Sequence, residues 1–358
     1  MAADLVQSVN STSHLLRQFI AVLSTPAITT PANVLPDAPD PLDVLHDAAA
    51  LLKAQTTKLS LLLINKPFTP SAIRSVIITI SSSCIPAMMS AIEICRPEVY
   101  SKTLHAEATM RVRIVLQEYQ NMMSEVLEAT GTTGTATLPR ARVDATASRN
   151  SLASTGVVWA ACDSLMALKQ LGLAGLLVKK AQQYREMLED AARELKEWVE
   201  DADAEDDLDD DAGSNDGSAA DDFLDAAHKL PKDRDDLNAT LASTFKKLRL
   251  TSTLYLALVK RRLKTLPSFN GDDRDGKVNV NMTKVVDELM ETLKLIPDYV
   301  DDLANAFYEL DNLDAEVGLS KICALGKRCI KLTSRSWNGE EDEFTTWSRK
   351  WIEAIDKS

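Results

Sequence analysis

Glycine and proline are scarce in this chain of 358 residues, at 12 and 13, and a shortage of both chain-breaking residues leaves room for long helices with few turns. Aromatic residues make up 5%, which argues against a β-rich fold, since strands draw on aromatic and β-branched side chains. The run SVIITISSSCI at 75–85 comes closest to a strand, and it does not outcompete a helical reading. Cysteine is an odd five, Cys84, Cys95, Cys162, Cys323 and Cys329, without a CxxC pair, and no secretory signal is read at the amino terminus. Reduced thiols in the cytoplasm or nucleus are the expectation. No apolar run is read as reaching about 18 residues without charge, so no membrane span is expected.

The motifs of common chemistry are missing too. There is no GxxxxGK to cradle phosphate, no GxGxxG after a strand and no GxSxG. His14, His46, His105 and His228 fall on separate elements, and none has a partner ligand one helical turn away, as metal coordination requires. In DDRDGKVNVNM at 272–282, Asp273, Asp275 and Gly276 fit positions three, five and six of a calcium loop. Gly271 at position one and Met282 at position twelve leave out an obligatory aspartate and the bidentate glutamate. Ser154, Thr155 and Gly156 read as a helix cap rather than a nucleophile. The expectation is a protein without cofactor, metal or enzymatic activity.

What the chain does have is an apolar content of 45%, enough for two cores in this length. Leu177, Ala181, Tyr184, Leu188, Ala191, Leu195 and Trp198 recur at spacings of four and three, one continuous stripe on a helix. Between Glu200 and Asp222 follow twelve acidic residues, no basic ones and almost nothing apolar except Leu208. That composition cannot bury enough surface to offset ordering, and it accounts for nearly all of the net charge of −13. The predicted architecture is all-α. An amino-terminal antiparallel bundle spans 1–199, an acidic flexible linker 200–234 and a carboxy-terminal bundle 235–358.

Within it, helices are expected over 4–23, 41–64, 70–95 with a kink at Pro86, and 97–129. A loop at 131–151 leads to two helices joined near Leu171-Gly172. Beyond the linker come a helix over 235–266, a loop at 267–280, two helices meeting at Pro297, and helices over 315–335 and 341–356. Phe344, Trp347, Trp351 and Ile355 lie on one side of the last and read as core.

Basic residues cluster at Lys246, Lys247 and Arg249, and again at Lys260, Arg261, Arg262 and Lys264. On one long helix these clusters read as a solvated polar face, or else as a docking patch for a partner or the acidic linker or as a nuclear-import signal, with Lys260, Arg261, Arg262 and Lys264 the candidate partner-binding residues. Nucleic acid is not expected as a direct partner, because the acidic run would repel a polyanion.

STGVVWAACDSL at 154–165, KEWVEDAD at 196–203, LNATLASTFKKLRLTSTLYLALVKRRLK at 237–264 and IPDYVDDLANAFYELD at 296–311 occur in this order. Together they resemble the cyclin-D-interacting protein family, the cyclin-D-binding or Maid-like proteins, over residues 150–315. The resemblance implies an all-helical protein that acts through protein contacts, in antiparallel bundles like those of talin and vinculin. In animal members the partners are D-type cyclins and helix-loop-helix transcription factors, with a negative effect on the cell cycle. Val158, Trp159, Cys162 and Asp163 then read as a packed helix start, with Trp159 alternatively lining a partner groove. The expected function is sequestration of a cyclin or helix-loop-helix partner in cytoplasm and nucleus. The alternative is a cytoskeletal or adhesion-type adaptor with a vinculin-like bundle.

Overall fold

The computed structural model describes residues 2–25, 38–65, 69–129, 140–206, 234–267 and 276–358. The expected acidic linker lies outside them from residue 207 to residue 233, while its first residues, up to Asp206, are helical. All regular elements are helical, with no strand among the described residues. They are α1 (Ala2–Ser24), α2 (Pro41–Ile64), α3 (Pro70–Thr79), α4 (Ile85–Ile94), α5 (Pro97–Tyr100), α6 (Lys102–Ala129) and α7 (Arg140–Asp206). After these come α8 (Asp235–Arg261), α9 (Gly276–Tyr308), α10 (Asn312–Thr333) and α11 (Glu343–Lys357).

Two compact units divide the chain between Leu173 and Ala174, one residue past the break in α7. Gly172 has φ 58 and ψ −172 there, a conformation that glycine adopts without steric cost. The linker composition had placed the division at 199 instead. Apart from half-buried Tyr184, the stripe from Leu177 to Leu195 is buried in the second unit, so packing changes partners at the break near Gly172 and not at the charge boundary.

In the first unit α1 packs on α3 and α6, and α2 on α3 and α4. The first half of α7 runs antiparallel to α2, tied by Lys53 to Asp163 and by Lys169 to Asp43. The core is aliphatic: Leu5, Val9 and Leu16 of α1 meet a bundle interior that includes Ile73, Ile77, Val112, Leu116 and Leu165. Local chemistry sets the helix ends. Asp40 caps α2 by accepting from the Leu42 N–H at 2.7 Å, and Pro41 takes the first helical position, where its missing N–H is no loss. The kink expected at Pro86 takes the form of a π-helical turn, Ile80–Cys84, closed by the Ile85 N–H donating to Ile80 O. One wide turn absorbs the proline ring without ending the helix.

Residues 75–92, between Arg74 and Glu93, carry no charge. Pro70–Ile94 and Ala153–Glu200 are both long and apolar enough to cross a membrane by composition, which corrects the reading of no such run. Burial qualifies that composition: Ile73, Val76, Ile77, Ile80, Ile85 and Met88 all face the bundle interior.

In the second unit α9 lies along α10, and α8 packs on α10 and α11. The second half of α7 joins through Arg185, whose Nε donates to Ser252 Oγ at 3.0 Å, and through Trp198, edge-on to Tyr308 at 5.2 Å. The two helices expected to meet at Pro297 are one, α9, with the proline inside. Pro297 has no N–H to give to the carbonyl four residues back, that of Leu293. The Tyr255 hydroxyl donates to that carbonyl at 2.6 Å, so a side chain from α8 supplies the missing donor. The loops expected at 131–151 and 267–280 are shorter than read, since helix already covers 140–151 and 276–280.

Candidate interaction surface

The basic cluster at the end of α8 divides. The helix stops at Arg261, so the next residue leaves the 3.6-residue period and turns inward. Arg262 is 1% exposed. Its Nη1 and Nη2 donate to the two carboxylate oxygens of Asp342 at 2.7 and 2.9 Å, and its Nε to Thr333 O at 2.8 Å. The guanidinium lies 4.4 Å from the ring centroid of Phe344. Trp337 closes the site by donating from Nε1 to the Arg262 carbonyl at 2.8 Å. Arg262 therefore belongs to no outward patch, a correction of its assignment as a partner-binding residue.

Asp342 also caps α11. It accepts from the Thr345 N–H at 3.0 Å while the Thr345 hydroxyl accepts from the Asp342 N–H at 3.1 Å, the reciprocal arrangement of a capping box. The Arg262 guanidinium, aided by Thr345, holds the Asp342 carboxyl well below the usual carboxylate range.

Outside this lock lies an open groove of about 390 Å³ between α8 and α11, lined by Leu256, Ala257, Lys260, Arg261, Phe344 and Trp347, among others. Lys246, Arg249, Thr253, Leu256 and Lys260 follow one another at spacings of three and four, all exposed, along the outer face of α8. Arg261 pairs with Glu343 at 2.5 Å. Lys264 is exposed but does not line the groove. Two residues were missed in the sequence. Leu256, 48% exposed, shares the spacing of the cations around it, and that signal was readable. Trp347 reads as core from its position in the stripe of α11, yet it is only half-buried, 5.5 Å from Phe344.

Trp159 lies elsewhere, in the first unit. Its neighbours Val158, Cys162 and Leu165 are buried, whereas Trp159 is 36% and Val157 48% exposed. Asp163 faces outward and accepts from Lys53 Nζ at 2.6 and 2.7 Å. The quoted stretch is thus half core and half surface, with the indole on the surface side. The thiols are not poised for nucleophilic chemistry: burial pushes Cys84 up to about 11 and Cys95, Cys162 and Cys329 up to about 12. Cys323 borders a second hollow, of about 610 Å³, and is also raised by burial, against the lowering influence of Lys247 and Lys327.

Residues 44–201 match the family described as Grap2 and cyclin-D-interacting, N-terminal. Over these residues the chain is similar to the amino-terminal domain of that family. The match takes in α2 to α6, where the sequence by itself showed little beyond helical character, and it includes Trp159. It ends before the Lys260 groove. The chain is also similar to an uncharacterized protein of Schizosaccharomyces pombe, 25% identical over 316 residues, which cover 87% of this chain and 83% of that protein.

Proposed function

We propose that this chain is a non-enzymatic regulatory protein of cytoplasm and nucleus that occupies the binding surface of a cyclin or helix-loop-helix partner and so lowers its free concentration. The observation that carries this reading is the match of residues 44–201 to a family described as cyclin-D-interacting. Two further observations support it: the surface indole of Trp159 within that span, the kind of side chain that anchors protein interfaces, and thiols held protonated by burial. Pro70–Ile94 is read here as a bundle helix rather than a membrane span, on the strength of its buried face.

Proximity labelling by the tagged chain in its native cells tests the proposal. Recovery of G1-type cyclins or helix-loop-helix factors, reduced about tenfold by Trp159→Ala with an unchanged melting temperature, is the expected outcome. Recovery of actin-linked proteins alone would replace it with the adaptor reading.

A further inference from the structure

We propose that the groove between α8 and α11 docks an acidic peptide segment of a partner protein, one that inserts a large apolar side chain between Leu256 and Trp347. The groove lies beyond residues 44–201, so this inference stands independently of the cyclin reading.

Three features of the groove specify the occupant. Its floor is apolar, made by Ala257, Phe344 and the faces of Leu256 and Trp347, and it takes a side chain rather than a flat surface. Its flank is basic. Lys246, Arg249 and Lys260 on α8, together with Lys350 on α11, are exposed, and no ion pair joins these four to an acidic residue among the described residues. Glu343, the one carboxylate lining the groove, is already taken by Arg261. An incoming carboxylate thus meets the unpaired Lys260 in the groove itself and, further along the same face of α8, Arg249 and Lys246, while the acid in the groove is engaged by Arg261. This favours an acidic partner over a basic one.

The third feature is rigidity. Phe344 rests against the buried Arg262 guanidinium, which is itself fixed by Asp342 and Thr333. A floor held from beneath loses little freedom when covered, so more of the contact energy appears as affinity. A lipid surface fits less well. Membrane-binding helices present several protruding apolar residues, whereas the outer stripe of α8 offers Leu256 alone and Trp347 is recessed.

The test uses the full chain and a short fluorescein-labelled peptide in which Asp and Glu flank a central Leu-Phe pair, followed by anisotropy. Leu256→Glu and Lys260→Glu are each expected to weaken binding about tenfold, as truncation of a central anchor does. Lys58→Glu makes the same charge change on an exposed residue of the first unit and is expected to leave binding unchanged. A peptide with Lys and Arg in place of the acids should not bind. Raising the salt should weaken the wild type more than the Lys260→Glu variant. Both substituted residues are exposed, and circular dichroism with a thermal melt checks that the fold is kept, with Lys260→Gln as a milder second variant. The proposal is overturned if Lys58→Glu weakens binding equally, if Leu256→Glu has no effect, or if the peptide does not bind at all. Capture of phosphatidylserine vesicles without capture of the peptide would overturn it in favour of a lipid surface.

Discussion

The two units solve the same packing problem with different materials. Up to Leu173 the interior is mostly aliphatic, with one buried polar lock, Arg111, which pairs with Glu107 and donates to Ser164 O at 2.5 Å. The hydroxyls of Thr56, Thr109 and Tyr119 and one oxygen of Glu125 have no hydrogen-bond partner among the described residues, as do the Thr244 hydroxyl and the Asn312 side-chain oxygen in the second unit. From Ala174 onward the chain holds four of its five tryptophans, and buried polar side chains are aimed at particular backbone carbonyls. Tyr255 donates to Leu293 O, Trp351 to Leu250 O, Trp337 to Arg262 O and Arg262 to Thr333 O. The first unit is specified mainly by the period of its apolar residues with the one lock at Arg111, the second by period plus several directional locks. Outside the pair of Arg111 and Glu107, substitutions of polar core residues should therefore be better tolerated in the first unit than in the second.

The largest effect is expected at Arg262. Removing one member of a buried ion pair costs about 3–5 kcal/mol when the other charge stays buried. Asp342 keeps 34% side-chain exposure and water can reach it, so the lower end, about 3 kcal/mol, is expected for Arg262→Gln. Lys260→Gln, two residues earlier and exposed, should leave the melting temperature unchanged. Equal melts for the two variants would erase the distinction between lock and surface.

The same pair gives the second unit an acid sensitivity. Asp342 has its carboxyl lowered in the folded chain relative to its unfolded value of about 3.9. The folded state then binds the proton more weakly than the unfolded state. The stabilisation is fully present above the unfolded pKa and is lost as pH falls through and below about 4. Acid titration followed by circular dichroism should show a shallower loss of stability for Asp342→Asn than for the wild type over that range. A parallel decline would place the acid-sensitive group elsewhere.

How much of this was readable beforehand follows from which interactions have a sequence period. The stripe from Leu177 to Leu195, the Asp40-Pro41 helix start and the break at Gly172 were legible, because each is local or periodic. The fates of Arg261 and Arg262 were not: the lock depends on Asp342, eighty positions away, and a run of basic residues looks the same whether its members face in or out. Pro297 was misread for a related reason. Whether a helix survives a proline depends on who bonds the orphaned carbonyl, and here the donor comes from α8. In the groove, Lys260 and Arg261 were legible as surface cations, Leu256 was legible from its spacing but passed over, and Trp347 was hidden because an amphipathic stripe does not reveal where its edge lies.

A pair of phenols tests the contrast at intermediate size. Tyr255→Phe leaves Leu293 O buried without its donor, at a cost of about 1–3 kcal/mol. In a Pro297→Ala background, where the backbone N–H of residue 297 can serve that carbonyl, the cost of Tyr255→Phe should shrink, and a double-mutant cycle reads the coupling directly. Tyr119→Phe removes a buried hydroxyl with no hydrogen-bond partner among the described residues, so it should be neutral or mildly stabilising. Chemical denaturation of the four variants settles the matter. A Tyr119→Phe variant as damaged as Tyr255→Phe would show that the first unit relies on a polar contact at that phenol too.

The smallest expected effect compares the two non-glycine residues with positive φ among the described residues, Ser101 at φ 80 and Leu310 at φ 58. Leu310 ends α9 in a Schellman arrangement, with the Asp311 N–H donating to Ala306 O and the Leu310 N–H to Phe307 O at 2.9 and 3.0 Å. A left-handed conformation costs an L-residue about 1–2 kcal/mol, and glycine avoids that cost while losing about 0.5–1 kcal/mol of backbone entropy. Leu310→Gly should therefore stabilise the second unit slightly, by about 0.5 kcal/mol as the difference of those two effects. Ser101 has the same backbone sign but a second task. Its hydroxyl accepts from the Thr103 N–H at 3.1 Å at the start of α6, and caps of this kind are worth about 1 kcal/mol over alanine. Relief of strain and loss of the cap oppose each other in Ser101→Gly, so that variant should gain nothing. Paired thermal melts give the sign of each. A destabilised Leu310→Gly would mean that the half-buried leucine side chain contributes more to packing than its backbone costs.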